Sequence, residues 1–301
     1  MKGIVFAGCS YTWGQGLYFY SDLNHTPKFD DWVYDYSLMT DALIKFKDTI
    51  RYPRLVANHF NTFEVCKKTN GGSDVTSLMF LKKLFSKYEE PADDPVITSA
   101  PWLTEENYYF DDIEYVIFQM TQPYRSRFKF IYNGKDYFVH PNSDLDDVSI
   151  VLERSPDGME NPVENGIETI FFKWLDENNY TIQDYLDLHV NHFNNTVKEY
   201  LQHLESHGIK TKVLFWVNES SVVFEDDFYK ERHILLEHEG KIYKTISDLQ
   251  NSYKERFLIA YDKEGFGGEI PENALTDRHP SKYCHEVIAK NVINSIIKDE
   301  K

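Results

Sequence analysis

The chain has 301 residues, 42% of them hydrophobic and 16% aromatic, which is enough apolar side chain for a sizeable core and too much for extensive disorder. Its 32 Lys and Arg stand against 49 Asp and Glu, and the resulting formal charge of −17 repels phosphate backbones and anionic lipid, so neither nucleic acid nor a membrane is an expected partner. Cys9, Cys66 and Cys284 lie far apart without a CxxC spacing, no apolar run is long enough to span a bilayer, and a strand-like segment begins at Gly3; a disulfide framework, a cysteine zinc site and a signal peptide are therefore not expected, and the expected compartment is the cytoplasm.

In chain order, residues 3–8 (GIVFAG) form an apolar run closed by glycine, read as a buried strand that empties into the polar loop Cys9, Ser10, Tyr11, Thr12. Helical patterns follow at 52–60 and 75–85, separated by a short strand at 63–66. The run 113–120 (IEYVIFQM) is a third strand, 212–217 (KVLFWV) a fourth and 257–261 (FLIAY) a fifth. Ile182, Leu186, Val190, Phe193, Val197, Leu201 and Leu204 recur at helical spacing, and a last helix over 283–297 carries Val287, Ile288, Val292 and Ile296 on one side. Strands alternating with helices predict an α/β fold, a three-layer α/β/α sandwich around a central parallel sheet of about five strands.

About ninety residues separate the third strand from the fourth, far more than one crossover needs, so an inserted region is expected over 128–181 within a single domain spanning 1–301. Alternation on either side of Asn133-Gly134 predicts a hairpin there, and Glu239-Gly240 marks a second. The insertion is expected to contain β-structure and to shape a cleft.

Two segments carry chemistry. Ser10 directly follows a buried strand, in a turn bounded by Gly8 and Gly14 that can present an exposed hydroxyl together with free backbone amides. Near the other end, Asp277 and His279 stand two apart before the last helix; residues so spaced in an extended segment project to one side, so a carboxylate can orient an imidazole. Pro280 and Ser281 are expected to begin that helix.

Together these two segments resemble the SGNH (GDSL-like) hydrolase family, in which a Gly-x-Ser block follows the first strand and an Asp/His block precedes the last helix. The helical stretch 52–60 and Asn70-Gly71-Gly72-Ser73 resemble further parts of that pattern. The resemblance implies Ser10 as nucleophile and, through its own N–H, one oxyanion donor. Gly71 is then the second donor with Gly72 as fallback, His279 the general base and Asp277 its orienting acid. It also implies a flavodoxin-like fold and neither metal nor organic cofactor.

The chain departs from the family at three places. Cys9 stands where Asp is usual, Asp277 and His279 are two apart rather than three, and after the third strand Thr121-Gln-Pro-Tyr-Arg125 replaces the Gly-x-Asn-Asp block. Gln122 or the Thr121 hydroxyl can stand in as donor, and Arg125 can contact an anionic substrate group or simply form a salt bridge. The expected activity is hydrolysis of an ester, a small-molecule or carbohydrate O-acetyl ester, through an acyl-serine. An O-acyltransferase or an inactive binding protein on the same scaffold are the alternatives. Cys9 as nucleophile, metal binding by His189 with His192 or His203 with His207, and a phosphate cradle at Phe266-Gly-Gly268 are set aside, and His285 inside the last helix packs or caps rather than serving as the base.

Overall fold

The computed structural model describes residues 1–9, 12, 14, 16–21, 40–66, 74–85, 108–121, 128–141, 150–153, 167–216, 225–259 and 279–301. Its strands are β1 (Gly3–Ala7), β2 (Glu64–Cys66), β3 (Ile113–Met120), β4 (Phe128–Tyr132), β5 (Lys135–Pro141), β6 (Ile150–Glu153), β7 (Lys210–Phe215), β8 (Leu236–His238) and β9 (Lys241–Tyr243). The helices are α1 (Asp41–Ile50), α2 (Tyr52–His59), α3 (Asp74–Leu84), α4 (Ile167–Glu177), α5 (Ile182–Ser206), α6 (Asp227–Arg232), α7 (Ile246–Ser252), α8 (Lys254–Phe257) and α9 (Lys282–Asp299).

The central sheet has the order β2-β1-β3-β7 and is parallel throughout. Its strands read as continuous apolar runs because both faces are covered, and alternation decides which residue faces which layer. On one face Val5, Ala7, Val116, Phe118, Met120, Val213 and Phe215 pack with Leu81 and Leu84 of α3, Val197, Leu201 and Leu204 of α5, and Phe228 of α6. On the other, Ile4, Phe6, Tyr115, Ile117 and Leu214 pack with Tyr52 and Val56 of α2, Leu249 of α7, and Cys284, Ile288 and Val292 of α9. Helices therefore flank a central parallel sheet on both sides, an α/β architecture compatible with a three-layer sandwich.

The parallel sheet has four strands among the described residues, not five. The apolar run expected as a fifth strand at 257–261 instead ends α8 at Phe257, and Leu258 makes one isolated antiparallel bridge to Pro280. The Ile259 N–H to the His279 carbonyl and the Ser281 N–H to the Phe257 carbonyl close this bridge, and residues 260 and 261 of the expected strand lie outside the described residues. Beside β7 a single parallel bridge joins Val213 and His233, with the Ile234 N–H donating to the Val213 carbonyl at 2.8 Å. The last helix begins at Lys282 with Ser281 as its N-cap, accepting from the Cys284 N–H at 3.1 Å, whereas Pro280, expected in its first turn, lies outside it. The long helix α5 opens with a capping box, Thr181 and Asp184 bonding reciprocally.

Within 128–181, β4, β5 and β6 form an antiparallel sheet of their own. Asn133 and Gly134 both take positive φ, 49° and 71°, the conformation a two-residue hairpin turn needs. Phe130 packs with Phe171 and Leu175 of α4 and with Tyr185 and Val190 of α5, a small core separate from the two that cover the main sheet. The second expected hairpin is β8-β9, turning at Glu239 and Gly240.

Candidate active site

Strands β1, β2 and β3 are adjacent and parallel, paired Phe6 with Cys66 and Ala7 with Phe118, so the chain leaves all three at one edge of the sheet. In open parallel sheets this carboxyl edge is where ligands bind. The segments carrying Ser10, Gly71 with Gly72, and Gln122 with Arg125 begin there in sequence, but those residues, like Asp277, lie outside the described residues. Of the expected site residues His279 is described, as is Thr121, the alternative donor, which is buried, and Cys9 next to Ser10.

Gly8 closes β1 in close contact with what lies beneath it. A Cβ built there would overlap the Thr12 hydroxyl and come within 2.8 Å of the Gln119 Cβ, so no larger residue fits. Cys9 is fully buried, and its Sγ accepts from Gln119 Nε2 at 3.2 Å. Burial in the core, rather than display in a cleft, sets Cys9 apart from a nucleophile.

Thr12 is buried as well, and it organises a directed chain of hydrogen bonds. Its hydroxyl has one proton, which goes to Gln119 Oε1; the Tyr52 hydroxyl, 3.0 Å away, must therefore donate to Thr12 Oγ1. Burial raises the Tyr52 phenol, keeping it a donor. The Thr12 carbonyl in turn takes a weak bond from Cys66 Sγ at 3.8 Å, and burial holds that thiol up at about 11.

Tyr52 opens α2, and its backbone N–H donates to His285 Nδ1 at 3.1 Å. The two rings stack with centroids 5.7 Å apart. His285 is completely buried; burial, followed by the nearby Arg51, His279 and Lys47, pushes its imidazole down to about 3. It is neutral, with its proton on Nε2, and among the described residues no hydrogen-bond partner faces that nitrogen.

A buried ionic cluster adjoins this chain. Arg51 donates to Glu64 Oε1 at 2.9 Å, Arg54 reaches the same oxygen at 3.1 Å, and Lys47 lies 3.2 Å from Asp48. Burial and then Arg51 lower the Lys47 ammonium to about 8. In a chain of formal charge −17, three cations here face two carboxylates among the described residues.

His279 lies half-buried just ahead of the α9 cap. Its carbonyl accepts from Ile259 N–H at 3.4 Å, while Ser281 is pinned twice, N–H to the Phe257 carbonyl at 2.8 Å and hydroxyl to the Arg256 carbonyl at 2.6 Å. The histidine is thereby set at a defined point, within electrostatic range of His285. His279 precedes the helix that carries His285, and from His285 hydrogen bonds run to Tyr52 and from Tyr52 to Thr12, two residues beyond Ser10 in sequence.

Sequence reasoning missed Thr12, Gln119 and Tyr52 as parts of this site. One signal was present: Gln119 is the sole amide in an apolar strand and shares its parity with Tyr115 and Ile117. Among the described residues no group of three or more His, Cys, Asp or Glu side chains is placed to hold a metal ion, and no helix is long and apolar enough to cross a membrane. No protein-family model, no curated protein and no solved structure matches the chain.

Proposed function

We propose that the chain is a serine hydrolase of the SGNH type acting on carboxylic esters, with an O-acetylated carbohydrate as its substrate class. The observation that carries the proposal is that His279 stands just ahead of the cap of α9, the helix whose His285 accepts from the Tyr52 N–H, while the Tyr52 hydroxyl bonds Thr12 at the carboxyl edge of the sheet. It joins the flanks of two segments more than 260 residues apart, the pair that a nucleophile and its base require.

In this mechanism Ser10 Oγ attacks the ester carbonyl as His279 takes its proton. The oxyanion is received by the Ser10 N–H and that of Gly71, or Gly72, with Gln122 as a further donor. His279 returns the proton to the departing alcohol, then activates water against the acyl-serine, while Asp277 holds its tautomer. Arg125 contacts the substrate beyond the ester. A neutral sugar ester suits a chain of formal charge −17, and this part of the proposal rests on composition and on analogy with the family.

The test is hydrolysis of p-nitrophenyl acetate and a short acyl series by wild type, Ser10→Ala and His279→Ala, with thermal melts run in parallel. Both variants should fold and lose about 10³-fold or more in kcat. A fluorophosphonate probe should label the peptide containing Ser10 in the wild type alone. Turnover and labelling that survive both substitutions would sink the assignment.

A further inference from the structure

We propose that His285 is a positioning residue: its buried imidazole locks the helix behind His279 to the helix whose tyrosine holds Thr12, and so fixes base and nucleophile relative to each other. The inference rests on the serine-hydrolase reading and extends it to a residue that reading does not use.

A fully buried imidazole is costly unless its nitrogens are engaged. Nδ1 of His285 is engaged by the Tyr52 N–H, one of the first-turn amides of α2 that have no partner within the helix. Nothing local serves it: the Arg51 N-cap makes no side-chain cap bond, its guanidinium is committed to Glu64, and Pro53 brings no N–H of its own. His285 thus caps α2 from a position 233 residues away in sequence. A cap of this kind requires an unprotonated Nδ1.

Burial first, and then the nearby charged groups among the described residues, oppose a second proton on the ring. Those groups are Arg51 at the α1–α2 junction, Lys47 on α1, His279 ahead of α9, and the positive end of α2 itself. The imidazole is therefore a strut of fixed charge and tautomer, not a second base. Beyond Tyr52 the phenol donates to Thr12, so a displacement of α2 is passed to the segment that follows Ser10.

Three variants separate positioning from plain packing. His285→Asn keeps an acceptor near Nδ1; His285→Leu removes it; Tyr52→Phe keeps the capped N–H but loses the bond to Thr12. At a temperature where melts show each folded, His285→Leu should lower kcat about tenfold to a hundredfold with KM little changed, Tyr52→Phe should lower it less, and His285→Asn should recover most of it. Imidazole ¹⁵N NMR should find His285 neutral with Nε2 protonated between about pH 5 and 8, and the His279 resonances displaced in His285→Leu but not in His285→Asn.

Equal turnover in all folded variants, an Asn variant as slow as Leu, or a His285 protonated on Nδ1 would each overturn the inference. Should Ser10→Ala keep wild-type turnover, the hydrolase reading fails on its own. The NMR comparison still decides for His285, since His279 signals unmoved by His285→Leu would show that it positions nothing.

Discussion

The two faces of the central sheet are built on the same strands yet do different work. On the α3/α5/α6 face β3 presents Val116, Phe118 and Met120, and the layer closes through aliphatic and aromatic contact. On the α2/α7/α9 face the same strand presents Tyr115, Ile117 and then Gln119, and the packing gives way at the carboxyl edge to Gln119, Thr12, Tyr52 and His285. Apolar residues of similar volume would stabilise that edge at least as well, since a buried polar network gains little net free energy even when satisfied. The difference teaches that one face holds the fold together and the other holds directions, the orientation of one group relative to another.

That division predicts that substitutions on the two faces fail differently. Phe118→Ala, on the apolar face, removes a fully buried ring next to Phe215 and Val116 and should cost about 3–5 kcal/mol in urea denaturation. The fraction that remains folded should keep the wild-type kcat/KM. A Phe118→Ala protein that stays folded but loses turnover would show that the apolar face also orients the site.

Gln119→Leu, one residue along the same strand, should do the reverse. It preserves volume but leaves the Thr12 hydroxyl without its acceptor and Cys9 without its donor, a penalty of about 1–3 kcal/mol. Its kcat should fall further than that of Phe118→Ala despite the smaller loss of stability. If both residues cost stability alone, the two faces are equivalent and the edge network is only a filler.

Much of the frame was readable because it is encoded locally. Unbroken apolar runs mark β1 and β3, a 3.6-residue recurrence marks α5, and both hairpins sit on residue pairs that accept positive φ, Asn133-Gly134 and Glu239-Gly240. The described part of the expected fifth strand, up to residue 259, joins no ladder of the parallel sheet and pairs instead through Leu258 with Pro280, some twenty residues onward, a partner that no local pattern announces. The edge network was hidden for the same reason: Thr12 finds Gln119 at a separation of 107 residues and Tyr52 finds His285 at 233. Polarity at those positions was visible, but nothing along the chain says which partner each will meet. For the expected site itself, His279 is described at the entrance to α9, whereas Ser10, Gly71, Gly72, Gln122, Arg125 and Asp277 lie outside the described residues.

The last probe of the two faces is acid. His285 in the unfolded chain titrates near its ordinary value of about 6.5, whereas in the folded protein burial with Arg51, His279 and Lys47 holds it at about 3. Between those values the unfolded state binds a proton that the folded state does not. The stabilising contribution is therefore complete above about pH 6.5 and is lost progressively as pH falls toward 3, with a slope of up to about 1.4 kcal/mol per pH unit from this one group. Carboxylates and other histidines add their own slopes, so the quantity to measure is the difference between wild type and His285→Asn, which keeps the acceptor for Tyr52 and cannot titrate. Urea melts at intervals from pH 7 down to 4.5 should show the wild type losing stability faster than the variant, with the gap opening below about pH 6.5. Phe118→Ala, made on the apolar face, should run parallel to the wild type over the same range, displaced by a constant amount. Parallel curves for wild type and His285→Asn would mean that the imidazole accepts a proton in place, and the α9 face would then hold a titrating group rather than a fixed strut.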